Sequence, residues 1–147
     1  MKKIVIGCDH GGFDLKNEII AHLKERGFSI TDVGCDSTAS CDYPVYAKKV
    51  AKAVAASEAE LGILVCGTGI GMSMVANKVP GVRAALCADC FSAQATREHN
   101  NANVLCLGGR VLGAGLALEL VDVFLETEFE GGRHSDRIDK ITKLEEK

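Results

Sequence analysis

The strongest constraint on this chain is a rhythm. Short β-branched runs alternate with longer segments of helical period along its whole length. Strands spaced by helix-length segments pair in parallel, because a parallel neighbour is reached only through a long crossover. Lys3-Ile4-Val5-Ile6-Gly7 reads as a first strand, and Leu15, Ile19 and Leu23 place an apolar stripe on a helix that Gly27 closes. Phe28 to Val33 gives a second strand. After a loop from Gly34 to Pro44, Tyr46, Val50 and Val54 mark a second helix, and the wholly apolar Leu61 to Cys66 reads as a strand covered on both faces. The loop from Gly67 to Gly71 opens a helix to about Lys78. Val82 to Leu86 is a fourth strand, Asp89 to about His99 a helix, and Val104 to Leu107 a fifth strand. Leu116, Leu120 and Phe124 mark a last long helix, which Gly131-Gly132 interrupts before a charged segment from Arg133 with helical potential. Right-handed crossovers turn this order into an α/β fold, a three-layer αβα sandwich around a doubly wound, Rossmann-like sheet of five parallel strands. Ligands of such sheets bind outside the carboxyl ends of the strands.

A length of 147 residues suits one domain, 1–147, with a core of its own. The net charge of -3, with no stripe of Lys and Arg, argues against a nucleic-acid partner. No apolar run approaches the roughly 20 residues that cross a bilayer, and Met1-Lys2-Lys3 leads directly into the first strand without a cleavage site, so no membrane is expected and the expected address is the cytoplasm. The seven cysteines, 8, 35, 41, 66, 87, 90 and 106, are expected to be free thiols. Cys87-Ala-Asp-Cys90 has the spacing of half a zinc site, but it lacks a second pair and a histidine cluster, and no metal is expected.

The loop after the first strand, Gly7-Cys8-Asp9-His10-Gly11-Gly12, sets a carboxylate and an imidazole at the carboxyl edge of the sheet before a helix N-terminus, a good setting for a polar ligand. Asp9 could equally be a helix cap there. The loop after the third strand, Cys66-Gly67-Thr68-Gly69-Ile70-Gly71, has alternate glycines that let successive N–H groups turn inward as an anion-binding nest. It lacks both the dinucleotide pattern and the Gly-Lys-Ser/Thr of a nucleotide loop, so neither NAD nor ATP is implied. Cys66 ends a buried strand where that nest begins; it could be an apolar cysteine filling a strand end, but the N–H groups and helix dipole of the glycine loop favour a thiolate able to act as a base.

His99-Asn100 falls at the carboxyl end of the fourth helix, which in this fold is the sheet edge opposite Asp9 and Cys66. Either His99 is simply a cation near the C-terminal dipole of that helix, or, if it is catalytic, a second subunit must bring it across, which couples catalysis to oligomerisation. Arg133 and Arg137, one helical turn apart with His134 between them, could clamp a phosphate or simply be a solvated face. Arg110, in the turn after the fifth strand, is weighed the same way. His22, Met72 and Met74 read as surface and packing residues.

Together, Gly7-Cys8-Asp9-His10, Asp42-Tyr43-Pro44, Cys66 to Gly71, Arg97-Glu98-His99-Asn100-Asn101-Ala102-Asn103 and Glu130-Gly131-Gly132-Arg133-His134 closely resemble the ribose-5-phosphate isomerase B family over essentially the whole chain. The resemblance implies a cofactor-independent interconversion of ribose 5-phosphate and ribulose 5-phosphate, a step of pentose phosphate metabolism, in a homodimer or dimer of dimers with shared active sites. It implies Cys66 as the base moving a proton between C2 and C1 through a cis-enediolate, with Thr68 and the N–H groups of Gly67, Gly69 and Gly71 holding the enediolate oxygen. It further implies that His99, assisted by Asp9, opens the furanose ring, that Tyr43 and Asn100 line the sugar, and that His10, Arg110, Arg133 and Arg137 hold the phosphate. Some members of the family resemble one another in using a glutamate on the glycine-loop helix as base. Met72 stands at that position here, which puts the chain on the cysteine branch. An isomerase of allose 6-phosphate or galactose 6-phosphate is the nearest rival, and a non-catalytic sugar-phosphate sensor on the same fold is a rival of another class.

Overall fold

A computed structural model describes residues 2–146. Its strands are β1 (Lys3–Cys8), β2 (Ser29–Asp32), β3 (Leu61–Cys66), β4 (Ala84–Leu86) and β5 (Val104–Gly108). Its helices are α1 (Phe13–Glu25), α2 (Tyr43–Ala55), α3 (Ile70–Ala76), α4 (Cys90–Asn100), α5 (Ala114–Glu126) and α6 (Arg133–Lys143). Every strand pairing is parallel, in the order β2-β1-β3-β5-β4. The chain steps outward from β1 to β2, crosses back over β1 to β3, passes on to the far edge at β4 and returns to fill the gap with β5. With crossovers of one hand, steps in one direction carry their helices on one face and steps in the other direction on the opposite face. The cores obey this. Leu15, Ile19 and Leu23 of α1, Ala93 of α4, and Leu120 and Phe124 of α5 pack against Ile4, Ile6, Ile63 and Leu105 on one face. Val50 and Val54 of α2 and Met72 and Ala76 of α3 pack against Val5, Leu64 and Cys106 on the other. The central strands β3 and β5 are buried throughout, as expected of a parallel sheet covered twice.

Boundaries shift where side chains take over backbone groups. The fourth strand loses Val82 and Arg83, because the Val82 N–H is spent in a turn on the Val79 carbonyl and the Arg83 N–H donates to Asn103 Oδ1 at 2.7 Å. Tyr43 and Pro44, expected in the loop, begin α2, where the missing N–H of proline costs no helical bond. The charged segment from Arg133 is indeed a helix, α6, whose buried His134 and Ile138 lie one turn apart. His22 is half-buried rather than simply exposed, and its Nε2 meets Asp122 at 2.8 Å to tie α1 to α5.

The N-terminus of α1 approaches β3 unusually closely. A Cβ on Gly12 would lie 2.2 Å from the Val65 carbonyl oxygen, and the Asp9 N–H donates to that same oxygen at 3.2 Å. The obstacle is the backbone of a central strand, which cannot yield. Gly12→Ala is expected to cost about 1–3 kcal/mol or more, read as a lowered Tm. Gly115→Ala, inside α5 with nothing near its Cβ position, should hold or raise Tm. Equal Tm values for the two variants would contradict this close approach.

Candidate active site

That approach brings two loops together at the carboxyl edge of the sheet. Asp9, Tyr43, Cys66, Gly67, Thr68, Ile70, Gly71 and Met74 line an open cleft of about 440 Å³. Asp9 is buried, 6% exposed, and its Oδ1 accepts the Gly11 N–H at 2.8 Å, capping the short 3-10 turn His10–Gly12. Capping and site are thus compatible, since the same carboxylate also lines the cleft. His10 accepts the Cys41 N–H at Nδ1 over 3.2 Å, which makes Nε2 the donor nitrogen of its neutral ring. Tyr43 stands at the start of α2, with its ring so close that a Cβ on Gly71 would come within 2.6 Å of it. Arg110 follows β5, its N–H donating to the Gly67 carbonyl and its side chain lying alongside Gly67.

The glycine loop serves Cys66 first. Gly69, held at φ +81°, turns its N–H onto Cys66 Sγ at 3.0 Å, and the Ile70 N–H donates to Thr68 Oγ1 at 3.2 Å. The expected nest therefore spends two of its N–H groups internally, one of them on the sulfur itself. Burial pushes Cys8 up to about 12 and Cys87 up to about 11, and raises Cys106 as well. All seven cysteines are free, and Cys87 and Cys90 join no cluster of potential metal ligands among the described residues.

His99, Asn100, Arg133 and Arg137 lie elsewhere. The Asn103 carbonyl accepts the Gly62 N–H, which sets the end of α4 beside the amino ends of β3 and β5, whereas Cys66 pairs with Gly108 at their carboxyl ends. The four residue steps of strand from Gly62 to Cys66 span about 13 Å. Within one chain, then, the candidate residues form two groups on opposite edges of the sheet. In the second group the rings of His99 and His134 stack with centroids 4.5 Å apart, and Glu130 Oε1 lies 3.4 Å from His99 Nε2 and 3.8 Å from His134 Nε2. Burial, reinforced by His99 and Arg133, holds His134 below the usual imidazole range. Arg133 and Arg137 are exposed on α6, and the Asn100 carbonyl accepts from Arg83 Nε at 3.1 Å.

Two cleft residues escape a reading of the sequence by chemistry. Ile70 and Met74, both exposed on the first turns of α3, supply an apolar wall. Met74, expected only to pack, is 63% exposed because α3 is short and turns that side outward, while Met72 is wholly buried. The grouping of Glu130 and His134 with His99 is likewise invisible in the sequence, since the three come together only when α6 packs on α4.

The ribose/galactose isomerase family matches residues 4–141. Ribose-5-phosphate isomerase B of Escherichia coli is 52% identical over 100% of this chain and 99% of that protein. A structure of Clostridium thermocellum ribose-5-phosphate isomerase B superposes with a TM-score of 0.96 at 52% identity, covering 97% of both chains. A D-erythrulose-4-phosphate isomerase of Pectobacterium atrosepticum is 46% identical, over 96% of this chain and 93% of that protein.

Proposed function

The chain belongs to the ribose/galactose isomerase family, and from that premise we propose that it interconverts ribose 5-phosphate and ribulose 5-phosphate through a cis-enediolate with Cys66 as the base. The observation that carries this reading is the cleft in which Asp9, Tyr43, Cys66 and the glycine loop meet, with the Gly69 N–H on the sulfur. The thiolate takes the proton from C2 of the open aldose, the electron pair forms the C1–C2 double bond of the enediolate, and the proton returns to C1. Protons on the two oxygens exchange in parallel, so the step is redox-neutral overall and regenerates the thiolate. That balance needs no cofactor. Thr68 and the N–H groups of Gly67 and Gly71 are the donors to the enediolate oxygen as negative charge develops on it, while the Gly69 N–H, expected among them, is already given to Cys66 Sγ.

His99 is the acid–base group that opens the furanose, with Asp9 assisting, and it comes from a second copy of the chain because its own cleft lies at the other edge of the sheet. Tyr43 and the partner's Asn100 line the sugar. His10 and Arg110, with Arg133 and Arg137 of the second copy, hold the phosphate and so position carbons remote from it. The working protein is a cytoplasmic homodimer or dimer of dimers. No helix of the described residues is long and apolar enough to cross a membrane.

The family includes four-carbon and six-carbon substrates by name, so the sugar is the open choice. The test is turnover in chelator-treated buffer with ribose 5-phosphate, allose 6-phosphate, galactose 6-phosphate and erythrulose 4-phosphate side by side. The highest kcat/KM is expected for ribose 5-phosphate. A higher value for another sugar would reassign the substrate, and binding of all four without turnover would leave a sensor.

A further inference from the structure

The cluster of His99, Glu130 and His134 has no role of its own in the reaction beyond His99. Its three donor atoms all lie within 4.8 Å of one another. They come from three separate pieces of structure, the last turn of α4, the loop before α6 and the first turn of α6. The loop is pinned to α4 by the Glu130 N–H donating to the Glu98 carbonyl at 3.1 Å, and His134 is held by burial, its side chain 10% exposed. One ligand is thus fixed, while His99 and Glu130, with side chains 43% and 52% exposed, are free to turn toward it. Two imidazole nitrogens and one carboxylate oxygen form a three-donor set that leaves a tetrahedral ion one open position for water. Nitrogen donors select zinc and its neighbours over magnesium or calcium, which prefer oxygen alone.

We propose that His99, Glu130 and His134 bind a divalent transition ion of the zinc class, and that this ion is an inhibitor. The stacked rings must rotate to share one ion, since each nitrogen lone pair lies in its own ring plane, and the exposed His99 makes that movement. Glu98 Oε2, 3.9 Å from His99 Nε2, adds negative charge, while Arg133 and Arg137 oppose it. The site is therefore one of moderate affinity that a phosphate at the arginines would influence. Inhibition rests on the reading of His99 as the ring-opening group, because a metal on its Nε2 removes the proton it would transfer.

Binding is tested apart from activity. The whole protein, freed of metal, is titrated with Co(II), whose visible absorption reports coordination by nitrogen and oxygen, and with Zn(II) in competition. One Co(II) per chain is expected, displaced by Zn(II), with affinity lowered roughly tenfold or more in both His134→Ala and Glu130→Gln. Glu130 is exposed, so its variant keeps the test valid if His134→Ala fails to fold. No saturable binding, binding unchanged in Glu130→Gln, or a sulfur-to-cobalt absorption placing the ion on a thiol would each overturn the site. Turnover is then measured with and without Zn(II). Binding without inhibition would keep the site and overturn its inhibitory role, and absence of any turnover in metal-free protein would count against the reading of the reaction instead.

Discussion

Replacing Cys66 by alanine is expected to lower kcat for ribose 5-phosphate by about a hundred- to ten-thousand-fold, the usual contribution of a positioned base. The loss should fall on kcat, with KM little changed, because the phosphate and sugar contacts lie on other residues. The substitution removes one sulfur from the end of a fully buried strand whose register is fixed by β1 and β5 on either side, so the fold should survive. Neither the residue at the alternative base position nor the two buried thiols can take over. Met72 cannot accept a proton, and burial holds Cys8 and Cys106 in the thiol form. A kcat within tenfold of the native value would place the base elsewhere.

His99→Ala should separate the two directions of the reaction. Ribose 5-phosphate is largely a closed furanose and needs ring opening, whereas a ketose with phosphate on its fifth oxygen has no hydroxyl free to close a five-membered ring. Turnover of ribose 5-phosphate is expected to fall by about a hundredfold or more, the scale of a lost acid–base group. Conversion of ribulose 5-phosphate, followed by trapping the open aldehyde it releases, should fall far less. His99 is half-exposed and its removal leaves no buried cavity. Equal losses in both directions would assign His99 to proton transfer at carbon or to binding rather than to the ring.

Much of this was legible in the sequence because the information is local. Apolar period and glycine placement specify β1, β3, β5 and the helices between them, and a strand end followed by alternate glycines marks Cys66 and its loop. The βαβ order by itself puts His99, at the carboxyl end of α4, on the edge of the sheet opposite Cys66. What stayed hidden depends on distance in space. The three-residue β4 depends on the Asn103 side chain capturing the Arg83 N–H, and the partnership of His99 with Glu130 and His134 depends on α6 folding back on α4. That Gly69 gives its N–H to Cys66 rather than to a ligand follows from a backbone angle no residue pattern states.

The central claim is that one catalytic site needs two chains, Cys66 from one and His99 from the other. It is tested most directly by unfolding and refolding together equal amounts of Cys66→Ala and His99→Ala, each nearly inactive alone toward ribose 5-phosphate. In a dimer with shared sites, half of the assemblies are mixed, and each mixed dimer has one site with both groups intact. The mixture should therefore recover about one quarter of the native specific activity. Activity no greater than the average of the two variants refolded separately would contradict the shared site and require His99 to act, if at all, within its own chain.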